Sequence, residues 1–290
     1  MERQHIDGAT RLIALLGWPV AHSVSPQLHN HVLARLGLPL AYVPLGVKPD
    51  SLQSAVLALR ACGFAGANVT IPHKRQVVHY CDVLSELSAR TGTVNTLYFR
   101  DGLMHGTTTD PQGFLRAVSW MGHDVSGGHV VILGNGGTAR TLGFALALRR
   151  LPATLTLVGR NRERVSGLAA EIASTTGFAV GHALFDAPEL EAVMRSCTLC
   201  VNCTNVGMHP HTGVSVLPAK HFHADMAVLD TIYNPSRTLF LQQAEQAGCT
   251  VQNGLRMLVY QGLASLALWV GHEIDEALVD MEELQGQVAR

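Results

Sequence analysis

The stretch HVVILGNGGTARTLGFALALRRL, His129 to Leu151, decides the fold. Its apolar run from Val130 to Leu133 has the length and continuity of a strand covered on both faces. The run passes directly into Gly134-Asn135-Gly136-Gly137-Thr138-Ala139 and then into a long segment with an apolar helical face. Strand, glycine turn and helix start, in that order, make a dinucleotide-binding unit. Gly134 permits the tight turn, Gly136 lets the backbone approach a pyrophosphate, and Ala139, at the third small position, lets helix and strand pack closely. The free N–H groups of the helix then face the anion, so the turn binds through its backbone and accommodates Asn135 and Thr138.

The strand that follows, ATLTLVG, bears on which dinucleotide is bound. An NAD site would carry a carboxylate at its end for the ribose hydroxyls, whereas this chain continues GRNRERV. Arg160, Arg162 and Arg164 offer guanidinium groups suited to a 2′-phosphate, which points to NADP, with NAD as a secondary cofactor. A solvated basic turn, with Glu163 pairing one arginine, is the plainer reading of the same residues. Two later apolar segments, LCVNCTNVG and MAVLDTIYNPSRT, end in polar loops as further strands of a doubly wound sheet would.

The bulk composition agrees. The chain has 290 residues, 47% hydrophobic and only 15% charged, which suits two domains with well-filled cores. With 21 Lys+Arg against 22 Asp+Glu, nothing attracts nucleic acid or an anionic membrane, and a small-molecule partner is expected. The N-terminus lacks a signal-peptide pattern and the apolar runs are too short to span a bilayer, so a cytoplasmic protein, monomeric or homodimeric, is expected. Cys197, Cys200 and Cys203 invite a metal reading, but they lie in a strand-like run with no fourth cysteine close by, and no metal is expected.

Upstream, residues 11 to about 100 alternate apolar strand-like runs with helical periodicity, closing on a hairpin with Asp101-Gly102 at its turn. A polar helix-like stretch ends near Arg90. Within this half, HSVSP (His22–Pro26) places Ser25 at an N-cap and Pro26 at N1 of the helix that follows. Ser23 is left unexplained by capping. In an extended segment the two hydroxyls point the same way and can hold one polar ligand. Asp110, followed by Pro111, is likewise read as an N-cap. The near-uniformly apolar NGLRMLVYQGLASLALWV is expected to be buried, with IDEALVDMEELQGQ as an amphipathic cover.

Taken together and in order, GWPVAHSVSPQLHN, GANVTIPHK, TGTVNT, TTDPQGF, GNGGTAR, VNCTNVGM, YNPSRT and NGLRMLVYQG resemble the shikimate dehydrogenase family, from about Leu12 to Gly271. The resemblance implies an α/β protein with an N-terminal substrate domain, a Rossmann-like doubly wound NADP domain, and C-terminal helices returning to the first. The expected boundaries are 1–109 with 254–290, and 110–253. It implies hydride transfer between NADP(H) and shikimate, with 3-dehydroshikimate as the ketone. Ser23 and Ser25 would bind the substrate carboxylate, and Thr70, Asn95 and Gln261 the ring, with Tyr233 a further contact. Lys74 and Asp110 match the catalytic pair, Asp110 also touching substrate. Thr231 and Gly254 join Gly134–Ala139, Arg160 and Arg164 as cofactor contacts.

Elementary chemistry supports the pair independently. Oxidising an alcohol while hydride leaves requires that a proton also leave, so a group able to carry it must touch the hydroxyl. A lysine held by a carboxylate can do this, and the sequence leaves open which of the two takes the proton. The chain departs from the usual NTDG with Thr108-Thr109-Asp110-Pro111, and has Thr93 where alanine is common. These changes bear on substrate identity more than on reaction type. Alternatives are a dehydrogenase of quinate or a related cyclic hydroxy acid, and an NADP-binding regulatory protein with little turnover.

Overall fold

The computed structural model describes residues 6–288 and divides into two compact units, one reaching to Gly113 and resuming at Leu258–Gln287, the other Phe114–Met257. The divisions fall inside helices α4 (Asp110–Trp120) and α9 (Leu255–Val270). No described helix is long and apolar enough to cross a membrane.

The first unit is built on a mixed sheet in the order β2-β1-β3-β5-β6-β4. Strand β1 (Arg11–Gly17) pairs in parallel with β2 (Leu40–Gly46) and β3 (Gly66–Val69), while β5 (Thr96–Arg100) runs antiparallel to β3 and to β6 (Leu103–Thr107). Asp101 and Gly102 take positive φ (52° and 75°) at the hairpin tip, as the sequence led one to expect of a primed turn. Helix α1 (Ser25–Arg35) and α2 (Leu52–Ala61) connect the parallel strands, and Ala14, Leu16, Leu52, Val56, Leu59, Val69 and Leu97 form a continuous core. The stretch expected to be one helix ending near Arg90 is broken into a 3-10 turn (Gln76–Tyr80), the short β4 (Val83–Leu84) and α3 (Glu86–Thr91). Ser85 explains the break: its hydroxyl accepts from the N–H of Ser88 at 3.2 Å and starts a new helix, which Gly92 ends in the left-handed conformation.

The second unit is a wholly parallel sheet in the order β12-β11-β10-β7-β8-β9, from β7 (His129–Leu133), β8 (Thr154–Gly159), β9 (Val180–Leu184), β10 (Leu199–Asn202), β11 (Ala227–Asp230) and β12 (Thr250–Gln252). The chain starts in the middle, winds one way through β8 and β9, and then the other way through β10 to β12. That is the doubly wound order, with its switch point between β7 and β10. Helices α5 (Gly137–Leu148), α6 (Arg162–Thr176), α7 (Glu189–Arg195) and α8 (Leu239–Gln246) link the strands. Cys197 and Cys200 are fully buried in this unit's core among Val131, Leu133 and Val228, where they act as small apolar side chains. In the last part of the chain, none of α9 is exposed, and α10 (Met281–Val288) buries Leu284.

Candidate active site

Register places the site segments of the first unit along one edge of its sheet. Leu16 lies beside Val69, so the loops leaving β1 and β3 emerge together. Thr96 lies opposite both Asn68 and Thr107, which brings the start of β5 and the end of β6 to the same edge. Ser23 and Ser25 follow β1, Thr70 and Lys74 follow β3, Asn95 precedes β5 and Asp110 follows β6. Residues far apart in sequence are thus gathered by strand direction alone.

The loop carrying Lys74 is pinned at several points. Thr70 N–H donates to Leu16 O (2.9 Å), the buried His73 ring contacts Val47 O (2.7 Å), and Lys74 O accepts from Val94 N–H (2.8 Å). Lys74 Nζ donates to Asp110 Oδ2 at 2.6 Å, with side-chain exposures of 17% and 6%. An ion pair this sheltered is screened far less than a surface pair, and removing either partner strands the other charge. The other carboxylate oxygen accepts from Asn95 Nδ2 at 2.7 Å. Asn95 Nδ2 also approaches Thr109 Oγ1 (2.9 Å) and Gln261 Oε1 (3.1 Å), while Asn95 Oδ1 accepts from the Thr109 N–H (2.9 Å). Lys74, Asp110, Asn95 and Gln261 therefore form one contiguous cluster.

Three local expectations are corrected. Ser25 is the first helical residue and not the N-cap, which falls on Val24 with helical backbone angles. The chain has already turned by His22, so HSVSP is not extended, and its two hydroxyls are not aligned by strand alternation. Instead Ser23 Oγ accepts from the Ser25 N–H at 3.3 Å, leaving its own proton free to donate. Asp110 likewise opens α4 as its first residue, and Thr109 O accepts the bond from Gly113 N–H. The Asp110 carboxylate is turned to Lys74 and Asn95, where paired donors hold it.

In the second unit, Gly134 has φ +110°, and a Cβ there would stand 3.1 Å from Thr204 Cγ2 and 3.2 Å from Cys203 O, so only glycine makes this turn without strain. Gly136 is the N-cap of α5, and around the places where Gly136 and Gly137 would carry a Cβ there is no atom within 4 Å. Gly136 is exposed and Gly137 and Thr138 are half-buried at this helix start, where the first amides have no partner within the helix and suit an anion, while Ala139 is fully buried. Arg160 directly follows β8, Asn161 caps α6 by accepting from Arg164 N–H (2.9 Å), and Arg160, Arg162 and Arg164 are all exposed. Thr231 follows β11 at the same carboxyl edge, and Gly254 packs against its carbonyl so closely that any Cβ would collide with it. The donor set fits a phosphorylated dinucleotide.

Tyr233 belongs to this second unit, in the loop after β11, where burial pushes its hydroxyl pKa up. Sequence reasoning passed over Asp230, which is fully buried at the end of β11 and accepts from Thr238 Oγ1 (2.7 Å), Asn202 Nδ2 (3.0 Å) and Ile232 N–H (3.0 Å). Burial outweighs these bonds and pushes its carboxyl up to about 7. It also passed over Asn68 and Ser265, polar groups behind the Asn95 cluster; the signal was a lone serine in the apolar run LASLALWV.

Two family models match the chain: the shikimate dehydrogenase substrate binding domain over residues 15–97, and the shikimate 5′-dehydrogenase C-terminal domain over residues 254–281. A shikimate dehydrogenase (NADP(+)) of Moorella thermoacetica is 41% identical over 276 residues, covering 95% of this chain and 93% of that protein. Among solved structures, a shikimate 5-dehydrogenase of Thermus thermophilus in complex with NADP(H) and shikimate superposes with a TM-score of 0.84 at 34% identity, covering 96% of this chain and all of that one. One from Listeria monocytogenes in complex with shikimate and NAD gives 0.87 at 32% identity, covering 94% and 96%.

Proposed function

Because the chain belongs to the shikimate dehydrogenase family, we propose that it interconverts shikimate and 3-dehydroshikimate with NADP(H), using Lys74 and Asp110 as the proton-carrying pair. The observation that carries the reading is the sheltered 2.6 Å contact between Lys74 Nζ and Asp110 Oδ2, set among amides that can bind hydroxyls. NADP, when bound, supplies the hydride acceptor or donor.

The chain's own residues do the rest. Asp110 occupies one of the three ammonium protons of Lys74, which leaves donors for the oxygen of the reacting ring alcohol. When the ketone is reduced, one of those ammonium protons passes to the forming alkoxide and leaves the pair one proton short; when the alcohol is oxidised, the pair in that deprotonated state takes up its proton. Asn95 and Gln261 bind the remaining ring hydroxyls together with Thr70, and Asn95 also fixes the Asp110 carboxylate. The free Ser23 proton and the Ser25 hydroxyl donate to the substrate carboxylate. Tyr233 adds a further substrate contact.

Gly134 to Ala139 hold the pyrophosphate through open amides, Arg160 and Arg164 the 2′-phosphate, and Thr231 and Gly254 the nicotinamide portion. The substrate domain comprises residues 1–109 and 254–290, the cofactor domain residues 110–253. The reading carries with it a cytoplasmic enzyme, monomeric or homodimeric. Initial rates with shikimate and with quinate, each with NADP and with NAD, test it. NADP-linked oxidation of shikimate at the highest kcat/KM is expected; preference for quinate, or cofactor binding without turnover, contradicts it.

A further inference from the structure

Behind the Lys74–Asp110 pair a row of polar groups runs into the core of the first unit, and it can be followed group by group. Asn95 Nδ2 donates to Asp110 Oδ1 (2.7 Å), so Asn95 Oδ1 is the accepting end of that amide. Thr96 Oγ1 donates to Asn95 Oδ1 at 2.7 Å. That uses the one proton of Thr96, so Thr96 accepts across its 2.8 Å contact with Ser265 Oγ, and the one proton of Ser265 is shared between Thr96 Oγ1 and Gln261 O, 3.0 Å away. Ser265 Oγ accepts in turn from Asn68 Nδ2 (3.0 Å), and Asn68 Oδ1 accepts from the Tyr42 hydroxyl (2.9 Å). From Tyr42 to Asp110 the groups form one connected row that branches at Ser265, and hydrogen bonds joined in a network polarise one another.

Ser265 is the junction of this row. It is fully buried on α9, one turn beyond Gln261, whose carbonyl accepts from its hydroxyl at 3.0 Å, and Thr109 Oγ1 lies 3.1 Å away. Besides that bond to its own helix, the Ser265 oxygen meets Thr96, Asn68 and Thr109, so it ties the polar row to α9. We propose that Ser265 is a positioning residue, which acts through Thr96 and Asn95 to aim the Asp110 carboxylate at Lys74. The proposal rests on the reading of Lys74 and Asp110 as the reacting pair.

A double-mutant cycle between Tyr42→Phe and Ser265→Ala tests it, because both changes keep nearly all the volume and Phe keeps the ring stacked on His29. Each single change is expected to lower kcat for shikimate by about fivefold, with KM altered by less than about twofold, and the double variant to be no slower than the worse single. A multiplicative loss of about 25-fold in the double, or losses confined to KM, overturns the relay. Ser265→Thr, which restores the hydroxyl, is expected to recover most of kcat. Independently of turnover, the side-chain amide ¹H–¹⁵N resonances of Asn95 are expected to move in Tyr42→Phe, and unmoved resonances overturn the relay. That spectrum decides even if Ser265→Ala does not fold, and wild-type protein inert toward shikimate would count against the activity and not against the relay.

Discussion

At the scale of single residues, the site is a problem of satisfying buried polar atoms. Asp110 and Asn95 are nearly inaccessible, and Asn95 serves both the carboxylate and the backbone beside it: its amide N–H donates to Asp110, and its oxygen accepts from the Thr109 N–H. Asn95→Leu keeps the bulk but orphans Asp110 Oδ1 and the Thr109 N–H. It is expected to cost about 1–3 kcal/mol of stability in denaturant unfolding, besides lowering activity. A fall of under about 0.5 kcal/mol would show that water takes over these bonds. This economy was only half legible in the sequence. The residue types at 74, 95 and 110 announced polar chemistry, but the contact between Asn68 and Ser265 spans 197 positions, and nothing local encodes it.

At the scale of elements, backbone phase governs. Whether HSVSP is extended or already helical depends on where the turn after β1 begins, and Ser-Pro suits either phase; hence the cap expected at Ser25 fell on Val24. The glycine turn after β7 was legible because Gly134 needs a φ that other residues resist. Gly134→Ala is expected to lower NADP affinity at least tenfold in a fluorescence titration, with shikimate binding unchanged; equal affinity would contradict the turn's role. At the end of β8, the double change Arg160→Ala and Arg164→Ala is expected to raise KM for NADP by about tenfold or more while leaving KM for NAD within about twofold. Equal effects on both cofactors would show that these guanidinium groups do not read the 2′-phosphate.

At the scale of the whole molecule, the two units carry buried titratable groups of opposite sign. In the first unit, burial against Tyr42 pushes His29 down to about 3. The unfolded chain takes up that proton near its ordinary value of 6.5, so this unit's stability is full above 6.5 and declines as pH falls toward 3. In the second, Asp230 is raised from 3.8 to about 7 by burial; the folded form keeps a proton the unfolded form has lost, so stability is full below 3.8 and declines as pH rises toward 7. Hydrogen exchange is expected to show β1 amides better protected at pH 7 than at pH 5, and β11 amides the reverse, the latter trend vanishing in Asp230→Asn. Parallel trends in both units would contradict this. The division into a mixed and a wholly parallel sheet was legible because buried parallel strands read as continuous apolar runs, whereas hairpin strands carry their turn residues with them.

The central claim is that the Lys74–Asp110 pair carries the proton of the ring alcohol, and Lys74→Ala tests it most directly. Shikimate and NADP binding by calorimetry should stay within a few fold of wild type, while kcat for NADP-linked shikimate oxidation falls by about 10²–10⁴. A variant that binds both and turns over at near wild-type kcat would contradict the account.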